Sequence, residues 1–267
     1  MKIFALDTSS KIATIGILED GKVLLENTLN DKKTHSENLM PMIEAAFQSV
    51  NLTPEDIDVF GVTVGPGAFT GLRIGISAVK GMAEALNKPV VGLSAPEVLA
   101  AGIAPTDRII CPIMDAQREQ VYAGFFRYRR AENTEHEPQS NCNGATMDQH
   151  SGDDSEPRLR ALMDTKVIKV RDLIEEAAQL EGKILFLGDG VNLYEKILRE
   201  GLGEAFEKTL YGHRIPRASM VGALTERKHR EGKSHGADRL KPIYLRKSQA
   251  EVQFDERQKS LGKEVSE

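Results

Sequence analysis

The segment that most constrains the fold of this chain is a helix that is apolar almost all the way round. It is predicted over residues 70–86, directly after the sharp turn Gly65-Pro66-Gly67. Its polar side chains fall within one narrow stripe, which consists of Arg73, Ser77, Lys80 and Glu84. A single sheet covers only one face of a helix, so this helix must be covered on further sides, either within its own domain or by another protein.

A second helix, predicted over residues 36–50, also carries more apolar surface than one sheet covers. Its apolar arc spans roughly 160°, compared with about 100° for a typical surface helix. The residues of this arc are Leu39, Met40, Met42, Ile43, Ala46, Phe47 and Val50. Methionine suits an adaptable contact surface, and Gly71 with Gly75 leaves a groove in the later helix for another backbone. The two helices therefore predict a face for a helix-on-helix contact with another subunit.

Strand and helix patterns recur in two similar sets along the chain. The predicted strands cover 3–6, 13–18, 22–29, 59–64, 89–93, 109–114, 120–128 and 183–188, and further helices cover 95–101, 171–180 and 193–200. We therefore predict an α/β protein with a duplicated unit, divided into residues 1–105 and 106–249. An acidic segment near 131–160 has too few aliphatic residues for a core and is predicted to be a mobile insertion. A polar tail, 250–267, is predicted to be disordered.

The N-terminal residues and the cysteines indicate where such a chain works. Charged residues interrupt every apolar run in the first 25 positions, which argues against a signal peptide or a membrane span. Only Cys111 and Cys142 occur, in very different contexts, so a structural disulfide is not expected. These features predict a cytoplasmic protein.

The formal net charge of −5 conceals a basic stretch at residues 211–247. This stretch contains ten Lys and Arg residues against three Asp and Glu residues. It is compatible with contact to RNA phosphates and equally with a solvated helix and tail. The sequence leaves both interpretations open.

The first turn of the chain, Asp7-Thr8-Ser9-Ser10, has residue types that could hold Mg²⁺ and a nucleotide phosphate. The same residue types are common in ordinary turns, where they bond to the local backbone. The equivalent turn of the second set, Asp115-Ala116-Gln117-Arg118, lacks the glycines that would let backbone N–H groups approach a phosphate. No two of the six histidines stand four residues apart, so no helix offers a histidine metal pair. The sequence thus predicts no catalytic residue and no metal site.

The run GPGAFTGLRIG at residues 65–75 resembles the signature of the TsaB (YeaZ) family, with Ala68 where that family usually has Ser. Weaker matches occur in the family's order elsewhere: LDTSS at 6–10, His35-Ser36, Asp115-Ala116, Val121-Tyr122, Gly188-Asp189-Gly190 and PIYLR at 242–246. The resemblance covers about residues 1–128 and 164–249.

This resemblance implies an actin-like, sugar-kinase-like (ASKHA) ATPase fold with mixed sheets, and a role in making threonylcarbamoyladenosine on tRNA. In that system a TsaD-type paralogue is catalytic, a TsaE-type ATPase assists turnover, and the TsaB-like chain is the dimerisation platform. Contact is made through the first two helices, and a homodimer is expected when the partner is absent. The residues expected at this contact are His35, Leu39, Met40, Met42, Ile43, Phe47, Leu72, Arg73, Ile76 and Lys80.

Two other activities compete with a non-catalytic role. One is a nucleotide-binding or ATP-hydrolysing enzyme that uses Asp7, Ser9 and Ser10 to bind ATP or ADP with Mg²⁺ weakly. The other is a glycoprotease-like peptidase, for which the sequence offers neither a metal pair nor a nucleophile–base motif. The leading hypothesis requires no cofactor.

Overall fold

Two five-stranded mixed sheets form the framework of the protein. The structure, a computed structural model, describes residues 1–31, 35–129 and 158–246. The predicted insertion near 131–160 lies outside the described residues except for its last three positions, and the predicted tail 250–267 lies wholly outside them. Among the described helices, none is long and apolar enough to cross a membrane.

The first sheet has the strand order β3-β2-β1-β4-β5. Its elements are β1 (Lys2–Asp7), β2 (Ala13–Glu19), β3 (Lys22–Leu29), α1 (His35–Ser49), β4 (Val59–Gly65), α2 (Phe69–Ala85), β5 (Val90–Ser94) and α3 (Ala95–Ala101), with a 3₁₀ turn at Pro54–Asp56. Strand β1 pairs antiparallel with β2 and parallel with β4. Both faces of β1 and β4 are buried, as expected for central strands covered by helices on two sides.

The second sheet repeats this order as β8-β7-β6-β9-β10. Its elements are β6 (Ile109–Asp115), β7 (Gln120–Arg129), β8 (Arg158–Lys169), α4 (Val170–Ala177), β9 (Ile184–Leu187), α5 (Gly190–Leu202), β10 (Phe206–Lys208) and α6 (Ala218–Arg230), with 3₁₀ turns at Gly203–Ala205, Tyr211–His213 and Ala237–Arg239. Each half follows the order βββαβαβα. The predicted fold class of two similar α/β subdomains with mixed sheets is therefore confirmed.

Helix α6 departs from the predicted division of the chain. The sequence assigns it to residues 106–249, but it packs on the first sheet, on the face opposite α1 and α2. Ala218, Val221 and Leu224 are buried there against Ile3 and Ala5 of β1. One side of α6 therefore completes the core of the first half.

Strand β8 was not predicted. It pairs antiparallel with β7 at the edge of the second sheet, and most of its side chains are exposed or half-buried. An edge strand with charged outward residues lacks the apolar signal on which strand prediction depends.

Candidate functional site

The two helices predicted to bind a partner, α1 and α2, lie side by side on one face of the first sheet. Six of the ten residues expected at the contact belong to the core beneath them: Leu39, Met42, Ile43, Phe47, Leu72 and Ile76. Each is at most 8% exposed, and Phe47 stacks on Phe4 with 5.6 Å between ring centroids. The wide apolar arc seen in the sequence is thus largely covered by the chain itself, since the sheet covers one flank and the neighbouring helix another.

The other four expected contact residues are accessible to different degrees. Met40 is 56% exposed, Arg73 is exposed, and His35 and Lys80 are half-buried. The Nε2 atom of His35 lies 2.8 Å from the carbonyl oxygen of Ser10, which ties the start of α1 to the first turn. Arg73 donates from Nε to the hydroxyl of Tyr244 at 2.8 Å.

The outer side of α2 includes a patch of small residues between its charged residues Arg73, Lys80 and Glu84. Ser77 and Gly81 are exposed, and Ile74 and Ala78 are only half-buried. A Cβ atom placed on Gly81 would meet nothing within 4 Å. Residues three and four apart share a helix face, so the spacing of these residues could have identified this surface.

Gly71 and Gly75 do not leave a groove for another protein. The first turn of this chain occupies the space beside both glycines, where an added Cβ would collide with the carbonyl oxygen or the hydroxyl of Thr8. Thr8 also donates from Oγ1 to the carbonyl oxygen of Gly71 at 2.9 Å. The prediction of an open groove is therefore wrong, and the GPGAFTGLRIG run instead packs α2 against the β1–β2 turn.

Asp7, at the end of β1, is fully buried and hydrogen-bonded within the first half. Its Oδ1 accepts bonds from the amide and hydroxyl of Ser9, both at 2.8 Å. Its Oδ2 accepts a bond from Oγ1 of Thr63 at 2.6 Å. Burial raises the pKa of Asp7 above its ordinary value, and these three hydrogen bonds oppose that rise only in part. The carboxylate is thus committed to positioning the turn.

A cleft of about 450 Å³ lies between the two halves. Ser9, Ser10 and Lys11 line it from the first half, while Asp115 and Asp189 line it from the second. The structure therefore brings Ser9 and Ser10 to the cleft and leaves Asp7, the third residue of the predicted nucleotide site, outside its lining.

The β6–β7 turn forms the other wall of the cleft and has an unusual backbone. Three successive residues with side chains, Gln117, Arg118 and Glu119, have φ values of 62°, 53° and 58°. Glycine favours this left-handed region, and other residues seldom adopt it. Oδ1 of Asp115 accepts a bond from the amide of Gln117 at 2.9 Å, and Oδ1 of Asp189 accepts one from the amide of Asp115 at 3.0 Å. Burial raises the pKa of Asp189, and the charge of Asp115 adds to the rise.

Most cations of the basic stretch 211–247 are engaged within the chain. Of the nine Lys and Arg residues of this stretch that the structure describes, five form ion pairs: Arg217 with Glu26, Arg227 and Lys228 with Glu97, Arg230 with Glu226, and Lys233 with Glu231. The local positive charge is therefore smaller than the sequence count indicates. In the described part of the chain, no group of three or more His, Cys, Asp or Glu side chains could hold a metal ion.

Comparison with known proteins places this arrangement in a family. Residues 22–254 match a family model described as TsaD, tRNA N6-adenosine threonylcarbamoyltransferase. The chain is 31% identical to the tRNA threonylcarbamoyladenosine biosynthesis protein TsaB of Bacillus subtilis, over 97% of this chain and 100% of that protein. It is 26% identical to the Escherichia coli protein of the same name, over 94% of this chain and 96% of that protein.

The fold agrees with a solved structure of YeaZ from Pseudomonas aeruginosa. That structure matches with a TM-score of 0.67 at 21% identity, and the match covers 91% of this chain and 99% of that one. Taken with the full-length match to the Bacillus subtilis protein, these likenesses show that the chain belongs to the TsaB (YeaZ) family.

Proposed function

We propose that this chain is a non-catalytic partner subunit in the formation of N6-threonylcarbamoyladenosine on tRNA. In this proposal it pairs with a TsaD-type catalytic paralogue, a TsaE-type ATPase assists turnover, and tRNA is reached through the complex. The names of the full-length relatives support the pathway. The surface of α1 and α2 supports the pairing.

The observation that carries the pairing is the composition of the exposed sides of these two helices, here called the docking surface. On α2 it comprises Ile74, Ser77, Ala78 and Gly81, and on α1 it comprises Met40. Small side chains let the axis of a second helix approach closely, and an exposed methionine adapts to the shape of a partner. The equivalent helix of the second half, α5, instead carries the ion pairs Lys196–Glu200 and Arg199–Glu195. Charged residues of this kind are typical of the side of a helix that faces water.

Gly81→Arg tests the pairing without harming the fold. The space beside Gly81 is open, and arginine is a better helix former than glycine by up to about 1 kcal/mol. The variant should therefore be at least as stable as the wild type, yet it should place a long charged side chain in the docking surface. We expect loss of co-purification with the co-expressed paralogue on size-exclusion chromatography, together with loss of tRNA modification in the reconstituted assay.

Gly212→Arg is the matched control, because a Cβ at Gly212 also meets nothing within 4 Å and the residue lies in the second half. It should leave pairing and modification unchanged. Undiminished pairing of Gly81→Arg, or equal loss in both variants, would contradict the proposal.

The same docking surface is proposed to form a homodimer when the paralogue is absent. A two-fold contact in which one surface meets its own copy is the simplest closed arrangement. Light scattering of the isolated chain should then give a dimer for the wild type and a monomer for Gly81→Arg. A monomeric wild type at micromolar concentration would remove the homodimer from the proposal and leave the heterodimer to its own test.

A second candidate, weak nucleotide binding, is favoured by the cleft lined by Ser9, Ser10 and Lys11. Calorimetry with ATP or ADP and Mg²⁺ on the isolated chain tests it. Lys11→Met is the informative variant because Lys11 is exposed, whereas changing the buried Asp7 would disturb the fold. Submillimolar binding that is lost in Lys11→Met would establish this function beside the first, and absence of binding by the wild type would exclude it.

A further inference from the structure

The segment 241–246, here called the strap, connects three parts of the molecule. It follows the 3₁₀ turn Ala237–Arg239, whose Ala237 is buried in the core beneath α2 together with Leu240. At its middle, the amide of Ile243 donates to the carbonyl oxygen of Val64 at 2.8 Å. The strap is therefore fixed to the end of β4, at the turn that starts α2.

The strap also contacts the first turns of α2 through Tyr244. The ring of Tyr244 stacks on that of Phe69, with 4.7 Å between centroids and 15° between planes. Its hydroxyl accepts the bond from Arg73, whose guanidinium lies 5.5 Å from the centre of the ring. Tyr244 is nevertheless 40% exposed. Aromatic and arginine side chains held in this way are the residue types that dominate protein–protein contacts.

The end of the strap reaches the second half. Arg246 donates from Nη1 to the carbonyl oxygen of Ala116 in the β6–β7 turn, and its side chain lines the cleft. On the inner side of the cleft the two halves meet through an apolar cluster that includes Leu99 of α3, Met114 and Tyr122. Met114 and Tyr122 also line the cleft, so this cluster forms its floor. The strap thus reaches from the first half to the lining of the cleft.

We propose that the strap couples the first turns of α2, which adjoin the docking surface, to the cleft. A partner bound at the first turns of α2 contacts Phe69, Arg73 and Tyr244, and thereby stabilises the contact of Arg246 with Ala116 and the closed form of the cleft. This inference rests on the proposed function for the identity of the partner, but the coupling exists within the isolated chain. Because coupling between two sites is reciprocal, a ligand that opens the cleft would weaken partner binding, and the partner would weaken the binding of that ligand by the same factor.

Hydrogen exchange of the full chain tests the coupling without a partner. The β6–β7 turn supplies the readout, since the amide of Ala116 bonds to Gln120 and that of Gln120 bonds to Gln117. Tyr244 packs on α2 of the first half, and the structure describes no contact between it and this turn. Tyr244→Ala should nevertheless speed hydrogen exchange at residues 116–120 by roughly 2- to 10-fold, the range expected for loss of about one hydrogen bond. Arg246→Met should have an equal or larger effect.

Lys241→Met is the matched control. Lys241 is an exposed cation of the same strap, and it should leave exchange at 116–120 unchanged. Unchanged exchange at 116–120 in Tyr244→Ala would overturn the coupling, as would an equal effect in the Lys241→Met control.

Adding the TsaD-type paralogue separates the coupling from the proposed function. In the wild type, the partner should protect both α2 and residues 116–120, and in Arg246→Met it should protect α2 alone. Protection of both regions in Arg246→Met would refute transmission through the strap. Absence of any complex would count against the proposed function, while the result for Tyr244→Ala in the isolated chain would still decide the coupling.

Discussion

The two halves of this protein share one strand order but use equivalent positions differently. Asp7 ends β1 and Asp115 ends β6, yet Asp7 is buried beneath its turn while Asp115 lines the cleft. Gly65 ends β4 and Gly188 directly follows β9, with φ values of 118° and 97°. A Cβ at Gly65 would crowd the strap at Ile243, whereas one at Gly188 would collide with β6 of its own sheet. The duplicated framework thus fixes where the turns lie, and the segments packed on them determine what each turn does.

The paired helices differ in the same way. Helices α1 and α2 have 15 and 17 residues, against 8 and 13 for α4 and α5. The outer side of α2 carries a patch of small residues beside the charged residues Arg73, Lys80 and Glu84, whereas the exposed charges of α5 pair with one another. The proposed docking to the first half rests on this difference, which can be tested position by position.

The largest effect is expected from Leu39→Glu or Ile76→Glu. Both side chains lie in the core of the first half, so an ionised carboxylate there should lower the free energy of unfolding by at least about 3 kcal/mol. Chemical denaturation followed by circular dichroism measures this loss. Met40→Glu, one position from Leu39 but exposed, should stay folded and lose only pairing. A stable Leu39→Glu variant would show that α1 is not part of the core.

A smaller effect is expected at Asp7. Asp7→Ala removes the acceptor of three buried hydrogen bonds and should cost about 1–3 kcal/mol in the free energy of unfolding. Asp7→Asn keeps an acceptor for Ser9 and can donate to Thr63, so it should be near neutral. Greater loss in Asp7→Asn than in Asp7→Ala would contradict the hydrogen-bonding role.

The pH dependence of stability sharpens the Asp7 prediction. Because burial raises the pKa of Asp7 above 3.8, the folded state favours the protonated form. The stabilisation by Asp7 is present below that ordinary value and is lost as the pH rises through the raised pKa. Asp7→Asn lacks this loss, so its stability relative to the wild type should increase from about pH 4 to about pH 7 in urea denaturation. A constant difference would show that the carboxyl group does not titrate differently in the two states.

A stabilising change is expected in the β6–β7 turn. Arg118→Gly replaces a side-chain-bearing residue at a φ of 53° and should raise the free energy of unfolding by about 1 kcal/mol. The melting temperature in differential scanning calorimetry checks the prediction. Arg118→Ala keeps the Cβ atom and should gain little, so an equal gain in both variants would point to the arginine charge as the cause.

The smallest effect is expected on α5. Lys196→Met removes one partner of an exposed pair that is 4.0 Å apart. Both stability and pairing with the paralogue should stay within experimental error, because exposed pairs contribute little. Loss of pairing in this variant would indicate that the second half, and not the first, contacts the paralogue.

Local patterns in the sequence predicted most elements, because strand and helix periods are properties of neighbouring residues. The bounds of β1, β2, α3 and β6, for example, lie within a residue of those predicted. The missed strands β8 and β10 lack a clear local pattern, and the other failures depend on distant residues. Nothing near Gly71 indicates that Thr8 fills the space beside it, and nothing within α6 indicates which sheet it covers.

The candidate site shows the same limit. A helical wheel identifies apolar residues but not which of them the sheet and the neighbouring helix cover, so Leu39 and Ile76 were placed at a contact although both lie in the core. The outward position of Gly81 could have been inferred from the spacing of Ser77 and Glu84 on α2. The hydrogen bond between Arg246 and Ala116 could not have been inferred from the sequence, because 130 residues separate the two.

The position of α6 has a consequence for how the chain is made. Residues 218–230 cover a face of the first sheet, which includes β1, so this face stays partly uncovered until about 200 residues after β1 have been made. During synthesis the N-terminal half would present Ile3, Ala5 and Leu18 to solvent until α6 is made, and the core beneath α1 and α2 also lacks Ala237 and Leu240 until after that point. Nascent chains that are released before α6 is made would therefore expose apolar sheet surface, and docking of α6 is the step that protects this surface from aggregation.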